Sequence, residues 1–197
     1  MYTWRRMSED EREAILAARR FAGLPLHEPP HFPTGRNVYL LTAANYEHAP
    51  VMQTEQRRAQ LERELLEGLA TLSEACAFGW VVLPNHYHLL AEVDLAEFRL
   101  SVGRSHNRTA TRWNREDGTP GRRVWHRFVD RSIRNQRHFW AAVNHVHANP
   151  VKHGHVCRAE EWPCSSVHAY LAELGRDGLA AVESEFPALN LGRGWDW

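Results

Sequence analysis

The stretch Gly79-Trp80-Val81-Val82-Leu83-Pro84-Asn85-His86-Tyr87-His88-Leu89-Leu90-Ala91 constrains the fold of this chain more than any other. It is apolar enough to be buried, and only Pro84-Asn85 interrupts it. Those two residues punctuate extended structure, so the stretch reads as two strands, 77–83 and 86–93. Side chains alternate faces along a strand, and residues i and i+2 share one. His86 and His88 then present two imidazoles on one side, with Tyr87 on the other. Two imidazoles on a stiff strand form half of a divalent-metal site and require a further ligand. The chain holds 13 histidines, and His145-Val146-His147 and His153-Gly154-His155 repeat the spacing. Spacing alone therefore does not separate a metal pair from histidines at the edge of a core.

The surrounding periodicities supply a context. Residues 37–43 read as a strand. Residues 54–75 carry Leu61, Leu65, Leu69 and Leu72 at helical spacing. Residues 95–115 read as a second helix, 124–129 as a fourth strand, and 135–148 as a helix stopped by Asn149-Pro150. Ser8-Glu9-Asp10-Glu11 opens a short N-terminal helix, followed by a linker with Pro25, Pro29, Pro30 and Pro33. The order predicts an α+β fold, a ferredoxin-like split βαββαβ with an antiparallel sheet and helices on one face. The expected organisation is an N-terminal helix and linker over 1–35, a domain over 36–172, and a C-terminal helical tail over 173–197.

Composition narrows the function classes. Lys+Arg and Asp+Glu both number 24, so net charge gives no reason to expect a polyanion partner. The distribution does. Arg104, Arg108, Arg112, Arg115, Arg122, Arg123, Arg127, Arg131, Arg134 and Arg137 cluster in one segment. Arginine grips phosphate bidentately and stacks on bases, which suits nucleic acid; an arginine-rich codon bias produces the same composition. Cys76, Cys157 and Cys164 lack Cys-x-x-Cys spacing, which fits reduced thiols and a cytoplasmic location. No apolar run is long enough to span a bilayer. A zinc hydrolase unrelated to DNA is disfavoured, because no His-Glu-x-x-His motif is present.

Several co-linear motifs then carry a resemblance. They are Thr42-Ala43-Ala44-Asn45-Tyr46-Glu47-His48; Trp80-Val81-Val82-Leu83-Pro84-Asn85-His86-Tyr87-His88; Arg123-Val124-Trp125; Asp130-Arg131-Ser132-Ile133-Arg134; His147-Ala148-Asn149-Pro150-Val151-Lys152-His153-Gly154; Trp162-Pro163-Cys164-Ser165-Ser166; and Gly192-Arg193-Gly194-Trp195-Asp196. Together they resemble the REP-associated tyrosine transposases of the His-hydrophobic-His superfamily, from about residue 36 to the end. The resemblance implies binding of a DNA hairpin with flanking single strand by a monomer or homodimer. It implies a tyrosine that attacks a backbone phosphate, leaving a 5′-phosphotyrosine and a free 3′-hydroxyl. It also implies Mg²⁺ or Mn²⁺ held by His86, His88 and Asn149.

One position departs from the pattern. The family carries its tyrosine four residues before the helix ligand, and here that position is His145. His145 is open to three roles: a nucleophile, a further metal ligand or base, or the mark of lost cleavage in a domesticated DNA-binding module. Positions 145 and 147 diverge on a helix, so His147 is expected to face away. Arg104, Arg108, Arg112 and Arg115 form a stripe on the second helix. With Arg122, Arg123, Arg127, Arg131 and Arg134 they are expected to contact phosphates, and Trp125 or Trp113 to stack on bases; a solvated basic face with two core tryptophans is the alternative.

Overall fold

The computed structural model describes residues 35–188, together with Ser8, Glu9 and Glu13. The remainder of the expected N-terminal helix, the proline-rich linker and the Gly192–Asp196 motif lie outside the described residues. Residues 35–188 lie within one compact unit.

Four strands make one antiparallel sheet: β1 (Arg36–Ala44), β2 (Cys76–Val82), β3 (His86–Asp94) and β4 (Val129–Ser132), in the order β2-β3-β1-β4. Helix α1 (Glu55–Ala70) links β1 to β2, and α2 (Leu95–Glu116) links β3 to β4. This is the α+β split βαββαβ that the element order predicts. Thr54 caps α1 by accepting from the Arg57 amide, and Asp94 caps α2 by accepting from Ala96 and Glu97.

Both faces of the sheet are buried. Tyr39, Leu41, Ala43, Tyr87, Leu89 and Ala91 pack with Leu61, Leu65 and Leu69 of α1 and with Phe98, Val102 and Trp113 of α2. Leu40, Val81 and Leu90 point the other way, onto Ala142, Val143 and Val146 of α3 (Gln136–Lys152). The two crossover helices thus share one face, and α3 covers the opposite face. A last helix, α4 (Val167–Glu185), runs across residue 172 and is broken at Gly175, whose φ is 67°.

Two boundaries differ from the expected ones. The fourth strand is Val129–Ser132 and not 124–129. Val124 and Trp125 sink into the core as a loop, touching the sheet through a single bridge between Asn45 and Trp125. Burial there overrides strand periodicity. Helix α3 also continues through Asn149 and Pro150 to Lys152. Pro150 removes one helical hydrogen bond, but it, Asn149 and Val146 are all buried, and that packing holds the turn.

The free edge of β2 is covered by the segment leading into α4. Val82 donates to the Cys164 carbonyl at 3.0 Å, Ser166 donates to that of Trp80 at 2.9 Å, and the Trp162 indole donates to that of Val82 at 2.9 Å. This removes a sticky edge.

A pH dependence follows from the α2 face. The Tyr87 hydroxyl lies 3.1 Å from His106 Nε2, and His106 stacks on Trp125. Burial pushes the His106 imidazole down to about 3. The folded value lies below the ordinary one of about 6.5, so this contribution is whole above pH 6.5 and is lost as pH falls toward 3. Urea unfolding at pH 4.5 is expected to give a stability lower than at pH 7, with about 2 kcal/mol of the difference due to His106. His106→Gln should shrink that difference; an unchanged pH profile would exclude His106 as its source.

Candidate functional site

The His86–His88 pair lies on β3, one of the two inner strands, on the face covered by α3. Cross-strand register sets His88 opposite Thr42 and His86 opposite Ala44. Tyr87 takes the other face, as alternation requires, and is buried between His106 and Trp125. Helix α3 brings His145 and Asn149 over the pair. They are four residues apart and so share one helical face. His86, His88 and His145 are 3%, 2% and 3% exposed, and Asn149 is fully buried. The ring of His88 lies 5.0 Å from that of His86 and 4.9 Å from that of His145, and His153 adds a ring 5.1 Å from His86.

Two neighbours orient the pair. His86 Nδ1 is 2.7 Å from the Asn85 side-chain oxygen, and His88 Nδ1 is 2.7 Å from the Thr42 hydroxyl. A neutral imidazole carries one N–H. The Asn85 oxygen accepts from His86 Nδ1, and in the tautomer where Thr42 Oγ1 likewise accepts from His88 Nδ1 both Nε2 atoms are lone pairs. His86 Nε2 faces Asn149 Oδ1 at 3.2 Å, and His88 Nε2 is buried with no hydrogen-bond partner. An oxygen partner on the far ring nitrogen is the usual support of a metal-binding histidine. Burial holds the His88 imidazole well below its ordinary range, and the nearby His145, His86 and His153 push it in the same direction. The ring stays neutral and able to bind a cation. Asn85 and Thr42 belong to the motifs that carry the resemblance, but the sequence reading gave neither of them this orienting role.

Two nitrogens and an amide oxygen fit a divalent ion, and the orphaned His88 Nε2 is the polar atom such an ion would satisfy. Among the described residues, no three histidine, cysteine or carboxylate side chains already converge as a metal cluster. Asn149 Nδ2, 3.4 Å from His145 Nε2, stands between the rings instead. His147 is turned away: its Nε2 lies 2.9 Å from the Ser166 hydroxyl, and its ring meets Tyr170.

The arginines divide between the two faces. Arg104, Arg108 and Arg112 are exposed on α2, in the layer opposite the histidines, and Arg108 is paired to Glu64 at 3.1 Å. Arg122 is tied to Asp117 at 2.7 Å and to the Asn114 side chain. The stripe is therefore exposed and lies across the sheet from the histidine pair. Arg123 and Arg127 are exposed beside the end of β1, where His126 donates to the Ala44 carbonyl, and Arg123 lies over the Tyr46 ring. Arg131 is opposite Leu40, whose face is that of the histidines. Arg131, Ser132, Arg134, Asn135 and His138 line a cavity of about 380 Å³. Trp125 is 9% exposed, donates to Thr109 Oγ1 at 3.0 Å and stacks on His106 at 4.2 Å. Trp113 is fully buried. Neither ring is free to stack on a base, and the expectation for Trp125 is corrected on that ground.

No protein-family model matches the chain. Over 99 residues, 47% of the chain, it is 30% identical to the REP-associated tyrosine transposase of Escherichia coli K12. Over 102 residues it is 28% identical to a Haemophilus influenzae protein of the same family name, covering 44% of this chain. These likenesses support the resemblance to the REP-associated tyrosine transposases that the co-linear motifs carry. The matches cover 54% and 56% of these relatives, so the chain spans about half the length of the curated family members. A solved REP-associated tyrosine transposase, described as bound to a REP hairpin, shares the fold at a TM-score of 0.60, with 22% identity. That likeness covers 77% of this chain and 87% of the transposase. Among the described residues, no helix is long and apolar enough to cross a membrane.

Proposed function

We propose that this chain binds a DNA hairpin with adjoining single strand, as a transposase-like protein that receives a backbone phosphate at its histidine face. A divalent ion, Mg²⁺ or Mn²⁺, would be held by His86, His88 and Asn149. The observation that carries this reading is the buried His86–His88 pair, each ring with an oxygen 2.7 Å from Nδ1 and His88 Nε2 with no hydrogen-bond partner. When bound, a divalent ion there withdraws charge from phosphoryl oxygens and orients an in-line attack.

The chain's own residues do the rest. Asn85 and Thr42 lock the two rings, and α3 closes the face against water. Arg131 and Arg134, beside the sheet edge on the same side, are the cations placed to steer phosphates toward it.

The tyrosines among the described residues favour a second reading, a DNA-binding module without cleavage. Tyr87 is buried on the far face, Tyr170 donates its hydroxyl to the Phe78 carbonyl, and Tyr39 donates to that of Gly35. The Tyr46 ring is held by Arg123 and His126. His145 stands over the pair without a hydroxyl to offer.

Incubation with a labelled hairpin, first in chelator and then with Mn²⁺, separates the two readings. Binding followed by cleavage that His88→Ala abolishes supports an enzyme, and binding alone supports the module. Binding no tighter than to a mixed-sequence duplex defeats both. Removing Arg131 and Arg134 together should weaken hairpin binding and flatten the salt dependence by about two phosphate contacts. An unchanged slope in salt titrations would place the DNA elsewhere.

A further inference from the structure

We propose that Arg123 is a specificity-determining residue, whose guanidinium takes the edge of an unpaired guanine in the strand beside the hairpin. It acts within the DNA reading of the chain, on which this rests, and needs no metal ion.

Arg123 is exposed yet oriented. Its guanidinium carbon lies 4.6 Å over the Tyr46 ring, and its Nε donates to the Trp125 carbonyl at 3.4 Å. Among the described residues no carboxylate pairs with it, whereas Arg57, Arg108 and Arg122 are each paired. One ring and one carbonyl thus fix the plane, and the two terminal amino groups stay uncommitted. An arginine that only screens phosphates needs no such fixing, because a charge acts without a plane.

The platform is itself rigid. Tyr46 follows directly on the end of β1, and its amide donates to the Val124 carbonyl at 2.7 Å. Its ring also meets that of His126 at 4.9 Å. Glu47 and His48 then take φ values of 57° and 53°, which residues with a side chain adopt at a cost. The turn is held by the Glu47 amide, 3.4 Å from His126 Nε2, and by Asn85 Nδ2, 3.4 Å from the His48 carbonyl. Asn85 is the residue that orients His86. The rim carrying Arg123 is therefore tied to the histidine face, at the end of the sheet where Ala44 lies opposite His86.

The donor pattern selects the base. A guanidinium has donors and no acceptor, so its matching edge offers two adjacent acceptors, as guanine O6 and N7 do. A side chain laid on its own protein surface does not reach into a groove. A single strand drawn across that surface brings its base edges to the arginine.

The test is hairpin binding in chelator, by fluorescence anisotropy, with each flanking single-strand position set in turn to the four bases. The wild type should favour guanine at one position by about 5- to 100-fold, and 7-deazaguanine, which lacks N7, should forfeit most of that gain. Arg123→Lys keeps the charge and loses the plane, so it should lose the preference while the salt slope stays the same. Tyr46→Leu, if its unfolding midpoint shows it folded, should shrink the preference. Hairpin binding with equal affinity for all four bases at every position, or a preference that survives Arg123→Lys, would overturn the proposal and leave the DNA reading standing. A flatter salt slope in Arg123→Lys with the preference intact would make Arg123 a phosphate contact. Failure to bind the hairpin at all would sink the DNA reading, and this proposal with it.

Discussion

Truncating Trp125 to alanine should cost about 3–5 kcal/mol of unfolding free energy and leave the hairpin affinity of the folded protein within about twofold of wild type. The ring fills the junction of β3, α2 and the loop before β4. It stacks on His106 at an 8° interplanar angle and packs with Tyr87 and Trp113 at 6.0 and 5.8 Å. Its indole N–H serves Thr109, whose hydroxyl also bonds back into α2. Truncation opens a cavity and leaves Thr109 without its donor, so two costs add. Urea denaturation with an unchanged m-value measures the first expectation, and hairpin titration at a denaturant-free temperature the second. A stability change below about 1 kcal/mol together with a large loss of DNA binding would reverse the assignment and return Trp125 to base stacking.

Trp125 also shows where the sequence stops being informative. An aromatic residue flanked by Arg122, Arg123 and Arg127 looks the same whether it stacks on a base or on His106, because the partner lies 19 positions away along the chain, on α2. The histidine pair was legible for the opposite reason. Period-two alternation forces His86 and His88 to one side and Tyr87 to the other, whatever else packs there. The four-residue interval between His145 and Asn149 was similarly local. The roles of Thr42 and Asn85 were not, since both depend on strand pairing and rotamers that no spacing encodes. The arginine stripe was legible as a stripe, but its side of the sheet was not. Periodicity groups Arg104, Arg108 and Arg112 on one helical face, but only the handed crossover of α2 decides that this face lies across the sheet from the histidines. At Pro150 a local rule met a stronger tertiary term, and the buried turn persisted.

Restoring a tyrosine at position 145 should produce a covalent DNA–protein adduct where the wild type forms none. Position 145 is fixed by α3 directly over His88, with Asn149 one turn further on. A phenol there carries the oxygen that histidine lacks. In the step expected, the tyrosyl oxygen forms a bond to phosphorus, the bond from phosphorus to the 3′-oxygen breaks, and the released 3′-hydroxyl takes up a proton. The phosphoester energy is kept in the new link, so no nucleotide cofactor is consumed. The site is tight, and a larger side chain costs about 1–3 kcal/mol by overpacking, so the unfolding midpoint of His145→Tyr must be measured first. With a folded variant, a labelled hairpin and Mn²⁺, a band that survives denaturing electrophoresis is expected. Adding His88→Ala should remove it, because the adduct depends on the orphaned Nε2 below. A folded, hairpin-binding His145→Tyr protein that yields no adduct would mean that position 145 is not the lesion, and that the histidine face binds phosphate without having been arranged to cut it.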